Sequence, residues 1–186
     1  MIEPRFPVAI AAAGLMVLAA GCGDRTPATA NPVAEAVQAA PDGGISDPLR
    51  FVKAAYRIDP TSPDKPGSQL KLQDRPEFSP RLKALFALDD KEAGGEVGRL
   101  DFDIYTGTQD GEIKDVKVSA VDVDFAVPPR KVVTATFTIN GAPAEMRFYF
   151  EKLGAKWFLD DISTKGDGKP DGLQAWTLSN ILKYGW

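Results

Sequence analysis

Asp101, Asp103, Tyr105, Gln109 and Asp110 fall within ten residues, in the segment DFDIYTGTQD. Three carboxylates, a phenol and an amide this close can do two kinds of chemistry. They can hold a cation, or one carboxyl with a raised pKa can act as general base beside the phenol. The same residue types have a plainer use, because turn aspartates accept hydrogen bonds from nearby backbone N–H groups. The chain has no histidine, which excludes Ser-His-Asp and Cys-His catalysis, histidine zinc sites and histidine bases. It has one cysteine, so no internal disulfide or cysteine cluster can form. A second acidic stretch begins at Asp160-Asp161. Read as a calcium loop from Asp161, it puts Lys165 at the fifth place and Gly172 at the twelfth. A lysine where an oxygen ligand belongs, and no closing acid, rules that loop out, and no metal or other cofactor is expected. Phe137, Met146, Phe148, Phe150 and Trp157 either line a pocket for a small apolar ligand or fill the core. Trp176, Tyr184 and Trp186 gather at the C-terminus, as helix packing or as an aromatic patch for a partner.

These residues need elements to position them. Ser46-Asp47-Pro48 is a helix start with Asp47 as N-cap, and the apolar spacing after it predicts a helix over about 48–58. A polar, proline-rich loop follows over 59–78. Ser79-Pro80 repeats the cap-and-proline signal, and Leu82, Leu85, Phe86 and Leu88 make the stripe of a helix over about 80–92, stopped by Gly94-Gly95. The period then changes to two. Strands are expected over about 113–125, 132–139, 144–151 and 156–162, with Asn140-Gly141 as a hairpin turn. In the first of these, Val116, Val118 and Ala120 sit on one parity and Val121, Val123 and Phe125 on the other. Burying both sets requires a β-bulge near Ala120. A last helix is expected over about 172–183. The fold class is α+β: a curved antiparallel meander of about four strands, one bulged, packed on N-terminal and C-terminal helices.

The chain of 186 residues is 44% hydrophobic, enough for one core, and its charge of −4 gives no basic excess for nucleic acid. Val8–Ala20 is an uncharged run of 13 residues, too short for a span and followed by small residues, as in a secretory signal peptide. The sequence Leu18-Ala19-Ala20-Gly21-Cys22 resembles a bacterial lipobox, with leucine one step further out than usual. The resemblance implies a signal peptide over 1–21, cleavage before Cys22, and acylation of Cys22. Residues 22–45, alanine- and proline-rich without aromatics, read as a tether before a single domain over 46–186. Gly23, not aspartate, follows the cysteine, which favours the periplasmic face of the outer membrane.

FVKAAY (51–56), FSPRLKALF (78–86), DFDIYTGTQDGEI (101–113) and KWFLDDI (156–162), in that order, form a recognisable set. Together they resemble a family of cell-envelope lipoproteins of unknown function with a nuclear transport factor 2-like domain. That resemblance implies a cone-shaped α+β fold and no established activity. Enzymes of that superfamily use a carboxylate or a His-Asp pair in the cone, and the pair is impossible without histidine. The expected role is a membrane-anchored, non-catalytic binding module, for an envelope protein partner or a small apolar ligand. The alternative is a small enzyme of proton transfer or hydrolysis using Asp101 or Asp103 with Tyr105.

Overall fold

The computed structural model describes residues 41–67, 69–166 and 174–186. The signal peptide, Cys22 and the tether as far as residue 40 lie outside the described residues, as does most of the loop weighed for calcium. Among the described residues the fold is α+β, with three helices and one antiparallel sheet of five strands. The helices are α1 (Pro48–Ala55), α2 (Pro80–Ala93) and α3 (Leu178–Tyr184). The strands are β1 (Ile113–Val123), β2 (Arg130–Ile139), β3 (Ala142–Leu153), β4 (Lys156–Thr164) and β5 (Trp176–Thr177), hydrogen-bonded in chain order.

The helix starts follow from local chemistry. Asp47 Oδ1 accepts from the N–H groups of Leu49 and Arg50, at 2.9 and 3.3 Å, with Pro48 needing no partner. Ser79 Oγ accepts from Leu82 N–H at 3.0 Å, and Gly94 ends α2 in the left-handed region at φ +61°. α1 ends at Ala55, short of the expected 58, and the 59–78 loop contains one 3-10 turn at Leu72–Asp74.

One face of the sheet carries Val133, Ala135, Phe137, Met146, Phe148 and Phe150 into the core, where they meet Phe51, Val52, Phe78, Leu82, Leu178 and Leu182. Phe51 stands edge-on to Tyr105 and Phe150 at 6.1 and 6.0 Å, and Phe78 stacks on Phe86 at 5.3 Å. A fully buried phenylalanine such as Phe51 contributes about 2–3 kcal/mol. The other face carries Thr134, Thr136, Thr138, Glu145, Arg147 and Glu151, all outside that core.

The bulge does not lie near Ala120. The β1–β2 register shifts between Lys114 and Lys117, where Asp115 adopts φ +56°. From Lys117 to Val123 the ladder is regular. Val121, Val123 and Phe125 are therefore not turned inward, and all three are exposed. A second shift separates Tyr149 and Phe150, which pair with Asp161 and Leu159, so Asp160 is the extra residue on β4. The fifth strand is only two residues long and leads into α3, whose described start is Leu178.

The two long sides of the sheet differ. β1 is an outer strand of the five. Along β4, Ile45 bridges Trp157, Phe78 bridges Leu159, and β5 pairs with Ser163 and Thr164. Gly44 makes the first approach possible. Its φ is +86°, and a Cβ there would stand 2.7 Å from Lys156 Cβ and 2.8 Å from Phe158 Cζ.

Candidate functional site

Asp103 occupies a turn ahead of β1. Its Oδ1 accepts from Tyr105 N–H at 2.7 Å and Thr106 N–H at 3.2 Å, and its backbone pairs with Thr108. That is the geometry of an aspartate stabilising its own turn. Asp101, Asp103 and Asp110 are all exposed. Among the described residues no three of His, Cys, Asp and Glu converge to hold a metal ion.

Tyr105 turns the other way. Its ring is buried and stacked on Phe148 at 6.3 Å. Its hydroxyl lies 3.5 Å from Glu77 Oε1 and 3.5 Å from Arg75 Nη1. Glu77 is itself buried, and its Oε1 also accepts from Gly67 N–H at 3.0 Å. Tyr56 donates its hydroxyl to the Tyr105 carbonyl at 2.5 Å. The cluster thus pins the 59–78 loop and the 101–110 turn to α1. Burial, reinforced by the charge of Glu77, pushes the Tyr105 phenol far up, and burial does the same to Tyr56 with Asp103 adding to it. Both stay neutral at physiological pH, so neither is a ready acid or base. Asp103 and the Tyr105 hydroxyl therefore do not converge: one faces water and the other the core.

The expected pocket residues divide. Met146, Phe148 and Phe150 are core, each 2% exposed or less. Phe137 is also buried, although it contributes to the wall of an open cleft of about 750 Å³ with Lys117, Thr138 and Ala144. Trp157 is half-buried under two cations, with Lys131 Nζ 5.3 Å and Lys152 Nζ 5.7 Å from its ring centre. Met146, Phe148 and Phe150 therefore pack as core, Phe137 reaches a cleft wall, and Trp157 stands apart at the lysine-rich end of β4.

Asp160 and Asp161 have the best-defined partners. Asp160 accepts from Ser79 Oγ at 2.7 Å and from Arg81 through Nε and Nη2, both at 2.9 Å. Asp161 accepts from Ser179 N–H at 3.1 Å and Ser179 Oγ at 2.6 Å. Thr177, the N-cap of α3, makes no side-chain cap bond, so β4 supplies the cap instead. Consecutive strand residues ordinarily point to opposite faces. The bulge at Asp160 frees both carboxylates to reach helix starts, one at α2 and one at α3. Sequence spacing had raised these two aspartates only for calcium.

A second cleft, of about 380 Å³, opens at the far end of β4. Trp176, Trp186, Asn180, Thr177, Ser163 and Arg147 contribute to its wall. Phe102 packs on both indoles, at 5.1 Å from Trp176 and 5.5 Å from Trp186. Trp186 remains 71% exposed. The aromatic residues singled out at the C-terminus thus divide, with the two indoles meeting at this cleft and Tyr184 standing in solvent. Phe102 is the member that sequence reasoning missed, because it sits among the aspartates 74 residues before Trp176. No family model, curated protein or solved structure matches the chain. Among the described residues no helix is long and apolar enough to cross a membrane.

Proposed function

We propose that this chain is a bacterial envelope lipoprotein whose domain is a non-catalytic binding or interaction module. It is held by acylated Cys22 at the periplasmic face of the outer membrane. The observation that carries the non-catalytic reading is the spent state of the acid–base residues. Asp103 is exposed and bonded to its own turn, and the Tyr105 hydroxyl is buried between Arg75 and Glu77. A carboxylate enzyme needs a desolvated carboxyl facing a cavity, and Asp101, Asp103 and Asp110 are all exposed to water. The order of helices, antiparallel meander and closing helix fits a nuclear transport factor 2-like scaffold. The cleft beside Trp176 and Trp186 is the binding place we favour, since it combines exposed indole surface with amide, hydroxyl and guanidinium groups.

The test is capture of the native lipoprotein, with mass spectrometry of both proteins and extracted small molecules. A specific companion should appear with the wild type and with Asp103→Asn, and disappear with Trp186→Ala plus Asn180→Ala. Recovery of nothing specific would count against a binding role. The anchor has its own test. Cys22→Ser should move the protein from the detergent phase to the aqueous phase, and a variant that stays with detergent sinks the acylation.

A further inference from the structure

Val121, Val123, Phe125 and Val127 are exposed large apolar side chains within seven residues. Phe125 is 102% exposed and Val127 95%. Both sit on the 124–129 tip that joins β1 to β2. Every residue from Ser119 to Val123 is exposed as well, so the end of β1 that leads into the tip lies open to solvent. Pro128 and Pro129 carry no N–H, so lowering the tip into an apolar medium leaves fewer backbone donors unpaired.

The tip shares one end of the sheet with the incoming chain. β2 begins at Arg130, opposite Glu151, and Lys152 N–H donates to the Pro129 carbonyl at 2.9 Å. The β3–β4 turn lies at the same end, and Ile45 pairs with Trp157 just after it. Cys22 is 19 residues before Pro41, a stretch that spans at most about 65 Å. Charge at this end is mixed: Arg130, Lys131, Lys152 and Lys156 stand against Asp122, Asp124 and Glu151. Trp157, with Lys131 and Lys152 near its ring, is the aromatic–cation combination that suits a lipid–water boundary.

We propose that the 124–129 tip is a membrane-docking element. Phe125 and Val127 enter the interfacial layer of the bilayer that holds the anchor, while the neighbouring cations meet anionic headgroups. The proposal rests on the acylation of Cys22 put forward above. Two apolar side chains alone bind a bilayer weakly, but an anchored chain presents them at high local concentration. Docking there turns the Trp176–Trp186 cleft, at the opposite end of β4, away from the lipid.

The experiment uses the full acylated protein in vesicles of zwitterionic and anionic phospholipid. Phe125→Cys and, at the far hairpin, Asn140→Cys each receive a polarity-sensitive thiol dye, the variants first being matched to wild type by thermal unfolding. With Cys22 acylated, each variant takes one label. The dye at position 125 should brighten several-fold, shift to shorter wavelength and be quenched by lipids spin-labelled in the acyl chain. The dye at position 140 should do none of these. One label per chain with position 125 as wet as position 140 overturns the docking alone. Two labels per chain and an aqueous protein overturn the anchor, and the docking with it. A blue shift at position 125 without lipid, growing with protein concentration, marks self-association and also overturns the docking.

Discussion

Glu151 sits on β3 where burial raises its pKa above the usual carboxylate range, with Asp160 adding to the rise and Arg130 and Arg81 opposing it. The folded state therefore holds this proton to higher pH than the unfolded chain does. Stability is lost as pH rises from the ordinary glutamate value to the raised one, and stays lost above it. Glu151→Gln should be more stable than wild type at neutral pH, the gap closing below about pH 4, when thermal unfolding is followed across pH. Asp161 contributes through hydrogen bonds to Ser179. Removing it by Asp161→Ala strands the N–H and hydroxyl of Ser179, which is 7% exposed, and should cost about 2–3 kcal/mol in urea unfolding. Arg81→Ala, at a half-exposed ion pair, should cost only about 1 kcal/mol. Asp103→Ala should lose about 1 kcal/mol through its turn and leave any captured ligand in place.

At the level of elements, close backbone approach decides more than propensity. Gly44→Ala must accept φ +86° and a Cβ pressed on Lys156 and Phe158, so it should cost at least about 2 kcal/mol. Gly94→Ala faces an unfavourable φ of +61° with nothing within 4 Å, and should cost about 1 kcal/mol. The pair, compared by denaturant midpoint, separates crowding from dihedral strain. The starts of α1 and α2 were legible in the sequence because each cap bond closes within three residues. The cap of α3 was not, because Asp161 reaches Ser179 from 18 residues away. β5 is too short for any period to show. The bulge lies between Lys114 and Lys117 rather than near Ala120 because the second apolar parity of β1 is not buried. Val121 and Val123 instead lie exposed at the end of β1 that leads into the 124–129 tip.

Across the whole molecule, α+β layering was readable from the switch of hydrophobic period from 3.6 to 2. The core face of β2 and β3 was equally readable, since Val133, Ala135, Phe137, Met146, Phe148 and Phe150 alternate with polar residues. The site was far less so. Tyr105 stands out by type, but the polar neighbours of its hydroxyl, Arg75 and Glu77, come from a proline-rich loop 30 and 28 residues earlier. The cleft at Trp176 required Phe102 and α3 to meet, a long-range event that no local pattern records. The edge where the chain enters has a mechanical side as well. Ile45 and Trp157 exchange two backbone hydrogen bonds, at 2.7 and 2.9 Å, and Gly44 N–H adds a third to the Pro76 carbonyl at 2.9 Å. A load applied through the N-terminus reaches this lap joint before it reaches the helices. Single-molecule pulling between the two ends should show a small early step as residues 41–47 peel away, and Gly44→Ala should lower the force of that step. The joint would then serve as a strain relief, yielding and re-seating while the sheet behind it stays folded.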